Sequence, residues 1–265
     1  MKKVLTAILL GVLVLAAVLW LPRIGIYILI FAAVAAGLVE FARMFLTDVV
    51  ERFAAVVAGC AMALWMMAGP AWRASAPLGL VLMLFALALL YMWRSRELSG
   101  SAQRIGVAML GVVYLGVSFP FWAWIFEMPL GRALILLAMV PACLCDVFGL
   151  IAGKCLGRHK LASMVSPNKT VEGLIGALAG SLLGAFAVRY AILPELSALA
   201  VAGLAVVIWI SSPFGDLVES LMKRSCGVKD SGSVIPGHGG LLDRLDALVF
   251  TGPAAYAYVK YVIGM

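Results

Sequence analysis

Apolar residues fill this chain in long, nearly unbroken runs, and polar residues are confined to the short intervals between them. At about 20 residues per bilayer crossing, the runs fall near 4–21, 26–46, 54–69, 78–93, 105–129, 133–153, 173–192, 199–222 and 245–263, which predicts nine transmembrane helices. The fold class expected is all-α: a polytopic integral membrane protein forming a single transmembrane domain over 1–265. Its N-terminal helices, 1–132, carry few charges within the spans, whereas 133–265 holds almost every residue suited to chemistry. Two runs are interrupted. The sixth contains Asp146, and the eighth, VVIWISSPFGDLVESLMKR, is expected to break at Ser212-Pro213 and restart.

Composition agrees: 65% of the 265 residues are hydrophobic and 12% charged, against roughly 25% charged in a soluble domain. Basic residues in short loops favour the cytoplasmic side. With the N-terminus inside, Lys2, Lys3, Arg43, Arg52, Arg94, Arg96, Arg104, Lys154, Arg158, Lys160, Lys169, Lys223, Arg224, Lys229 and Arg244 all fall there. Only Arg23, Arg73, Arg132 and Lys260 fall opposite, which fits an odd number of spans. The first run is longer than a signal-peptide core, so we read it as an uncleaved span. The net charge of +7 sits in membrane-flanking loops with no soluble basic domain, which argues against nucleic acid and for anionic lipid headgroups or a phosphate-bearing substrate. Cys60, Cys143, Cys145, Cys155 and Cys226 lack the paired spacing of a zinc site.

The densest polar stretch is Ser220–Asp246, SLMKRSCGVKDSGSVIPGHGGLLDRLD. Lys223, Arg224, Lys229 and Arg244 suit phosphate oxygens, while Asp230, Asp243 and Asp246 suit a hard divalent cation that takes carboxylate and phosphate ligands. Pro236, Gly237, Gly239 and Gly240 leave little side-chain bulk around His238, so backbone amides there can approach a ligand. Asp216, Glu219, Ser220 and Lys223 are spaced for one helical face, and Asp243 and Asp246 for another. Glu219 and Lys223 also fit a surface salt bridge. Asp146, costly inside a membrane span, is either an interior-facing functional carboxylate or an interhelical hydrogen-bonding one. Between the sixth and seventh runs, Ser166-Pro167 is a turn signal, followed by Lys169, Thr170 and Glu172. The order predicts a turn feeding a helix whose free amides can meet an anion, or a basic loop that only sets topology.

The stretch resembles the C-terminal signature of the bacterial phosphatidate cytidylyltransferases, the CDP-diacylglycerol synthases. The matching positions are Ser220, Lys223, Arg224, Lys229, Asp230, Ser231, Pro236, Gly237, His238, Gly239, Gly240, Asp243, Arg244 and Asp246. Upstream, Gly215–Ser220, Gly157, His159, Lys160, Leu161, Ser166-Pro167, Lys169-Thr170 and Glu172-Gly173 are similar too, so the likeness covers roughly 145–250. It departs after Asp146: the family follows that aspartate with a small polar residue and Gly-Ala-Tyr, whereas this chain has Val147-Phe148-Gly149-Leu150.

The resemblance implies an enzyme of the bacterial inner membrane, multi-pass and homodimeric. In its reaction, phosphatidate attacks the α-phosphorus of CTP, pyrophosphate leaves and CDP-diacylglycerol forms. Such transfer depends on alignment and charge neutralisation rather than a protein nucleophile. Mg2+, with room for a second metal or a monovalent cation, would be held by Asp216, Asp243 and Asp246, with Asp146 and Asp230 as further candidates. Lys223, Arg224 and Arg244 would join the catalytic set. Ser166, Lys169, Glu172, Lys229, His238, Gly239 and Gly240 would bind the two substrates. His238 is expected to place a phosphate rather than act as a base, since the attacking monoester is already anionic; a loop-packing histidine is the plainer reading.

A different lipid-phosphate acceptor is the nearest alternative, given the departure at Val147–Leu150. No P-loop, GxGxxG or HExxH motif is present, nor the Asp-Gly, Ala-Arg and spaced-Asp pattern of CDP-alcohol phosphotransferases. A transporter would also have broken helices and buried charges, but its site belongs near the midplane between repeats, and no repeat is visible. A lipid-binding scaffold would not need two carboxylate pairs.

Overall fold

The computed structural model describes residues 2–94, 99–232 and 239–265, and most of them are helical. In chain order the helices are α1 (Lys2–Trp20), α2 (Arg23–Phe45), α3 (Val49–Met67), the short α4 (Pro70–Ala74), α5 (Ala76–Arg94), α6 (Ser101–Gly111), α7 (Phe121–Glu127), α8 (Gly131–Leu156), α9 (Val171–Ile192), α10 (Ala198–Ser225) and α11 (Leu242–Tyr258). A π-helical segment, Val112–Val117, links α6 towards α7, and another, Val259–Ile263, follows α11.

Each hydrophobic run is therefore helical, and among the described residues seven stretches, fewer than the nine expected, are both long and apolar enough to cross a membrane: α2, α3, α5, Ser101–Glu127, α8, α9 and α10. Their outward faces carry exposed Phe53, Phe85, Trp93, Ile175 and Leu199. Apolar surface on this scale is incompatible with water and natural against lipid. The chain is a multi-pass membrane protein.

The chain divides into two compact units. The first comprises 1–123 and 230–242, the second 124–229 and 243–265. The first is held by α2 and α3 against the α6 region, with Leu38, Phe41, Met62, Met66 and Leu115 almost wholly buried. Asp48 caps α3, accepting from the amides of Val50 and Glu51 at 2.8 and 3.0 Å.

The second unit is built on the pair α8 and α9. Gly173, Gly176, Gly180 and Gly184 recur at three- and four-residue spacing along α9 and face α8. At Gly180 even a methyl group would collide with the Leu144 carbonyl, so the two backbones approach as only small residues allow. Helix α10 joins this pair through polar contacts in the apolar interior. The Ser181 hydroxyl donates to the Ala205 carbonyl at 2.8 Å, and the Trp209 indole N–H to the Leu174 carbonyl at 2.7 Å.

Two sequence expectations need correction. Helix α10 does not break at Ser212-Pro213; Pro213 lies inside one continuous helix of 28 residues. A proline removes one N–H and leaves the carbonyl four residues earlier, that of Trp209, without its helical donor, a loss that membrane-spanning helices within a bundle tolerate. The connection before α9 is not an open turn either. It forms an antiparallel hairpin of β1 (Lys160–Ala162) and β2 (Ser166–Thr170), with Ser166 and Pro167 in the second strand and the turn just before them.

Candidate functional site

The chemistry-bearing side chains of the second unit collect where α8, β2, α9, α10 and the start of α11 offer their polar residues. On α10, Asp216 and Ser220 are one turn apart, and the Ser220 hydroxyl donates to Asp216 Oδ1 at 3.2 Å. Lys169 of β2 reaches the same carboxylate, with Nζ 2.8 Å from Oδ2. The hairpin thus delivers an ammonium to α10 across 47 residues of sequence.

Asp146 on α8 and Asp246 on α11 belong to the same neighbourhood. Asp146 feels the repulsion of Asp216 and the attraction of Lys169, and has the Ser212 hydroxyl beside it. Asp246 feels the charges of Asp216, Glu219 and Asp146, and its Oδ1 accepts from the amide of Ala247 at 2.7 Å. Gly215 lets α10 and α11 meet closely enough for this. A Cβ there would sit 2.5 Å from the Asp246 carbonyl.

A second cluster lies one turn further along α10. Lys223 Nζ is 2.6 Å from Glu219 Oε2 and 2.6 Å from Asp243 Oδ1. Glu219 is fully buried and Lys223 only 8% exposed. The surface salt bridge expected of this pair is therefore an interior one. A buried ion pair costs desolvation that its attraction only partly offsets, so it marks a position held for a reason other than stability. Although Asp243 and Asp246 are three residues apart on one helix, they do different things: Asp243 joins Lys223, and Asp246 joins Asp146 and Asp216.

Lys169 and Lys223, expected to face phosphates, are thus engaged by carboxylates in this structure. Glu172 is engaged as well. It accepts from the amides of Arg158 and His159, and His159 Nδ1 lies 2.6 Å from its Oε1. The first-turn amides of α9 are likewise largely taken. Val171 N–H donates to the His159 carbonyl at 2.9 Å and Gly173 N–H to the Thr170 hydroxyl at 3.1 Å. That helix start is satisfied from within the protein rather than open to an anion.

Arg224, Lys229, Asp230 and Arg244 are exposed, and Ser166 is half-buried. Gly239 has φ +81°, a left-handed conformation natural to glycine. Gly240 is buried. His238, with Pro236 and Gly237, lies outside the described residues.

Among the described residues, no three histidine, cysteine or acidic side chains close into a ready-made metal-binding set. The donor chemistry nonetheless fits a hard cation. Asp146, Asp216 and Asp246 are mutually repelling oxygen donors, with the Lys169 charge beside the first two. Mg2+ is commonly held by one or two carboxylates, with waters and substrate phosphates completing its octahedron. An open, acidic half-site suits that division.

One buried carboxylate escaped the sequence reading: Glu40, on α2 in the first unit. It is 2% exposed and accepts from the Ser231 hydroxyl at 3.1 Å and from the amides of Leu241 and Leu242 at 2.9 and 2.8 Å. The signal was there, since a carboxylate in an apolar helix is expensive.

Comparison with known proteins identifies the family of the chain. A family model described as "Cytidylyltransferase family" matches residues 1–262. The phosphatidate cytidylyltransferase of Staphylococcus aureus is 40% identical over 146 residues, 55% of each chain. That of Synechocystis is 44% identical over 146 residues, 54% of this chain and 48% of the relative. The chloroplastic phosphatidate cytidylyltransferase 5 of Arabidopsis thaliana is 41% identical over 130 residues, 49% of this chain and 32% of the relative. The matched segments span about half the length of the two bacterial relatives.

Proposed function

This chain belongs to the cytidylyltransferase family, and from that premise we propose that it transfers the cytidylyl group of CTP to phosphatidate in the membrane, giving CDP-diacylglycerol and pyrophosphate. A phosphatidate oxygen forms a bond to the α-phosphorus, the bond from that phosphorus to the α–β bridging oxygen breaks, and pyrophosphate leaves with the electron pair. The observation that carries this reading is the grouping of Asp146, Asp216 and Asp246, with Lys169 paired to Asp216, in a chain that otherwise faces lipid.

Both substrates are anionic, so the protein's task is to hold like charges together and offset the negative charge that accumulates. Asp146, Asp216 and Asp246 would hold Mg2+, which when bound neutralises phosphate oxygens. Lys169 and Lys223 would exchange a carboxylate partner for a phosphate oxygen when substrate binds, and the ion pairs hold both ammonium groups oriented meanwhile. Arg224, Lys229 and Arg244, exposed at the helix ends, would gather the triphosphate and the lipid headgroup. None of these residues needs to act as a nucleophile.

The test is an assay of purified protein with cytidine-labelled CTP, phosphatidate and Mg2+. Label should pass into the lipid phase only when both substrates are present, with pyrophosphate released in equal amount. No labelled lipid from folded protein would overturn the proposal. Val147 and Leu150, the apolar departures after Asp146, are exposed on α8, and they favour a second reading with another lipid phosphate as acceptor. Replacing phosphatidate by other lipid phosphates in the same assay separates the two.

A further inference from the structure

Glu40 has the environment of a buried polar organiser. It lies on the membrane-spanning α2, yet three groups from residues 231–242 converge on its carboxylate: the Ser231 hydroxyl and the Leu242 amide at Oε2, and the Leu241 amide at Oε1. These partners are 191 to 202 residues away in sequence. Helix α11 begins at Leu242, so two of the contacts satisfy amides at the entrance to that helix, which have no carbonyl partner within it. A carboxylate is the favoured group at that end of the helix dipole. Helices are usually capped by their own preceding residue; this one is capped from another helix.

The glycines on either side fit the same arrangement. A side chain at Gly240 would collide with both the Ser231 hydroxyl and the Glu40 carboxylate, and a Cβ at Gly232 would come 2.9 Å from Glu40 Oε1. Those two glycines are small because the carboxylate needs the room.

We infer that Glu40 is the positioning residue for the start of α11: by accepting from the Ser231 hydroxyl and from the Leu241 and Leu242 amides, it sets where α11 starts and hence where Asp243 and Asp246 enter that helix. Glu40 touches no reacting atom in this scheme; it acts through the backbone. The inference rests on the cytidylyltransferase reading for its catalytic consequence, and on hydrogen bonds alone for its structural one.

The experiment compares wild type, Glu40→Gln, Glu40→Asp and Gly240→Ala as purified full-length protein, by site-resolved amide hydrogen exchange and by cytidylyl transfer. Gln presents one acceptor oxygen and a donating NH2 to three donors, so at least one contact must fail. Exchange at Leu241 and Leu242 should quicken at least tenfold in Glu40→Gln while the amides of α8 and α9 stay unchanged. kcat should fall at least tenfold, with KM for CTP changed less than threefold. Glu40→Asp, which keeps the charge on a shorter arm, should recover part of both readouts. Gly240→Ala should reproduce the Glu40→Gln pattern, and combining the two should cost less than the product of their separate effects, because both break one contact set.

Unchanged exchange at Leu241 and Leu242 would overturn the inference, as would uniform loss of protection across the protein or a rise in KM with kcat intact. If Glu40→Gln does not fold, Gly240→Ala decides on the same readouts. Failure of wild type to label lipid would count against the cytidylyltransferase reading alone, since hydrogen exchange reports on the Glu40 contacts without substrate.

Discussion

Lys223 and Asp243 meet across 20 residues of sequence, Nζ to Oδ1 at 2.6 Å, and tie the end of α10 to the first turn of α11. Because Glu219 shares the same ammonium, this lysine is the common partner of two carboxylates. Removing it leaves both without that partner in a place largely closed to water.

Lys223→Met should therefore destabilise the protein by about 3–5 kcal/mol, the usual cost of stranding one side of a buried ion pair, and abolish turnover. Lys223→Arg should keep most of the stability while losing activity, since a planar fork does not replace a compact point charge at this spacing. Denaturation of purified protein in mixed micelles, with the transfer assay, checks both. A Met variant as stable as wild type would mean that Glu219 and Asp243 find other partners.

Asp246→Asn and Asp216→Asn should each cut turnover below about a tenth of wild type, because losing a charged ligand to a catalytic cation costs several kcal/mol. Chelation of divalent cations should abolish wild-type activity, and added Mg2+ restore it. Activity that persists in chelator would contradict a role for these carboxylates in metal binding.

Asp146→Asn separates a functional carboxylate from a structural one. With a place among the Asp216 and Asp246 charges, the amide should lower turnover strongly and shift the Mg2+ titration to higher concentration. An interhelical contact alone would leave kinetics untouched and change stability by about 1 kcal/mol.

Glu172→Gln tests the hairpin. Its carboxylate holds the Arg158 and His159 amides, so the variant should expose 157–165 to faster limited proteolysis while KM for CTP stays within about threefold. A large rise in KM with unchanged proteolysis would return Glu172 to substrate contact.

At Gly180 the prediction is purely steric. Gly180→Ala forces a methyl group against the Leu144 carbonyl, and overpacking of this kind costs about 1–3 kcal/mol. A lowered melting temperature is expected, with residual activity in the fraction that stays folded.

The spans were legible in the sequence because lipid imposes one rule on every residue of a helix, and a run of apolar side chains satisfies it without reference to partners. Asp216, Asp243 and Asp246 were legible as acids near a helix end. Their sorting was not: that Asp243 would join Lys223 while Asp246 joined Asp146 depends on how α8, α10 and α11 pack, which no spacing within one helix encodes. The hairpin at 160–170 was missed because three- and five-residue strands carry too short a pattern to read. The course of α10 through Pro213 was misjudged because a proline costs a membrane-spanning helix one hydrogen bond, which packing in a bundle can outweigh. Glu40 went unnoticed because what gives it meaning, a hydroxyl and two amides, lies some 200 residues downstream.

That distance sets an order of events during biosynthesis. Helix α2 leaves the ribosome well before Ser231 exists, and at 5–20 residues per second the intervening 191 residues take about 10–40 s to make. Throughout that interval the Glu40 carboxylate has none of the donors from Ser231, Leu241 and Leu242, so the first unit is completed only once residues 230–242 have been made. A ribosome stalled between α9 and α10 would leave a membrane-inserted fragment with a polar vacancy in α2, the kind of defect by which quality-control proteases distinguish unfinished chains from finished ones.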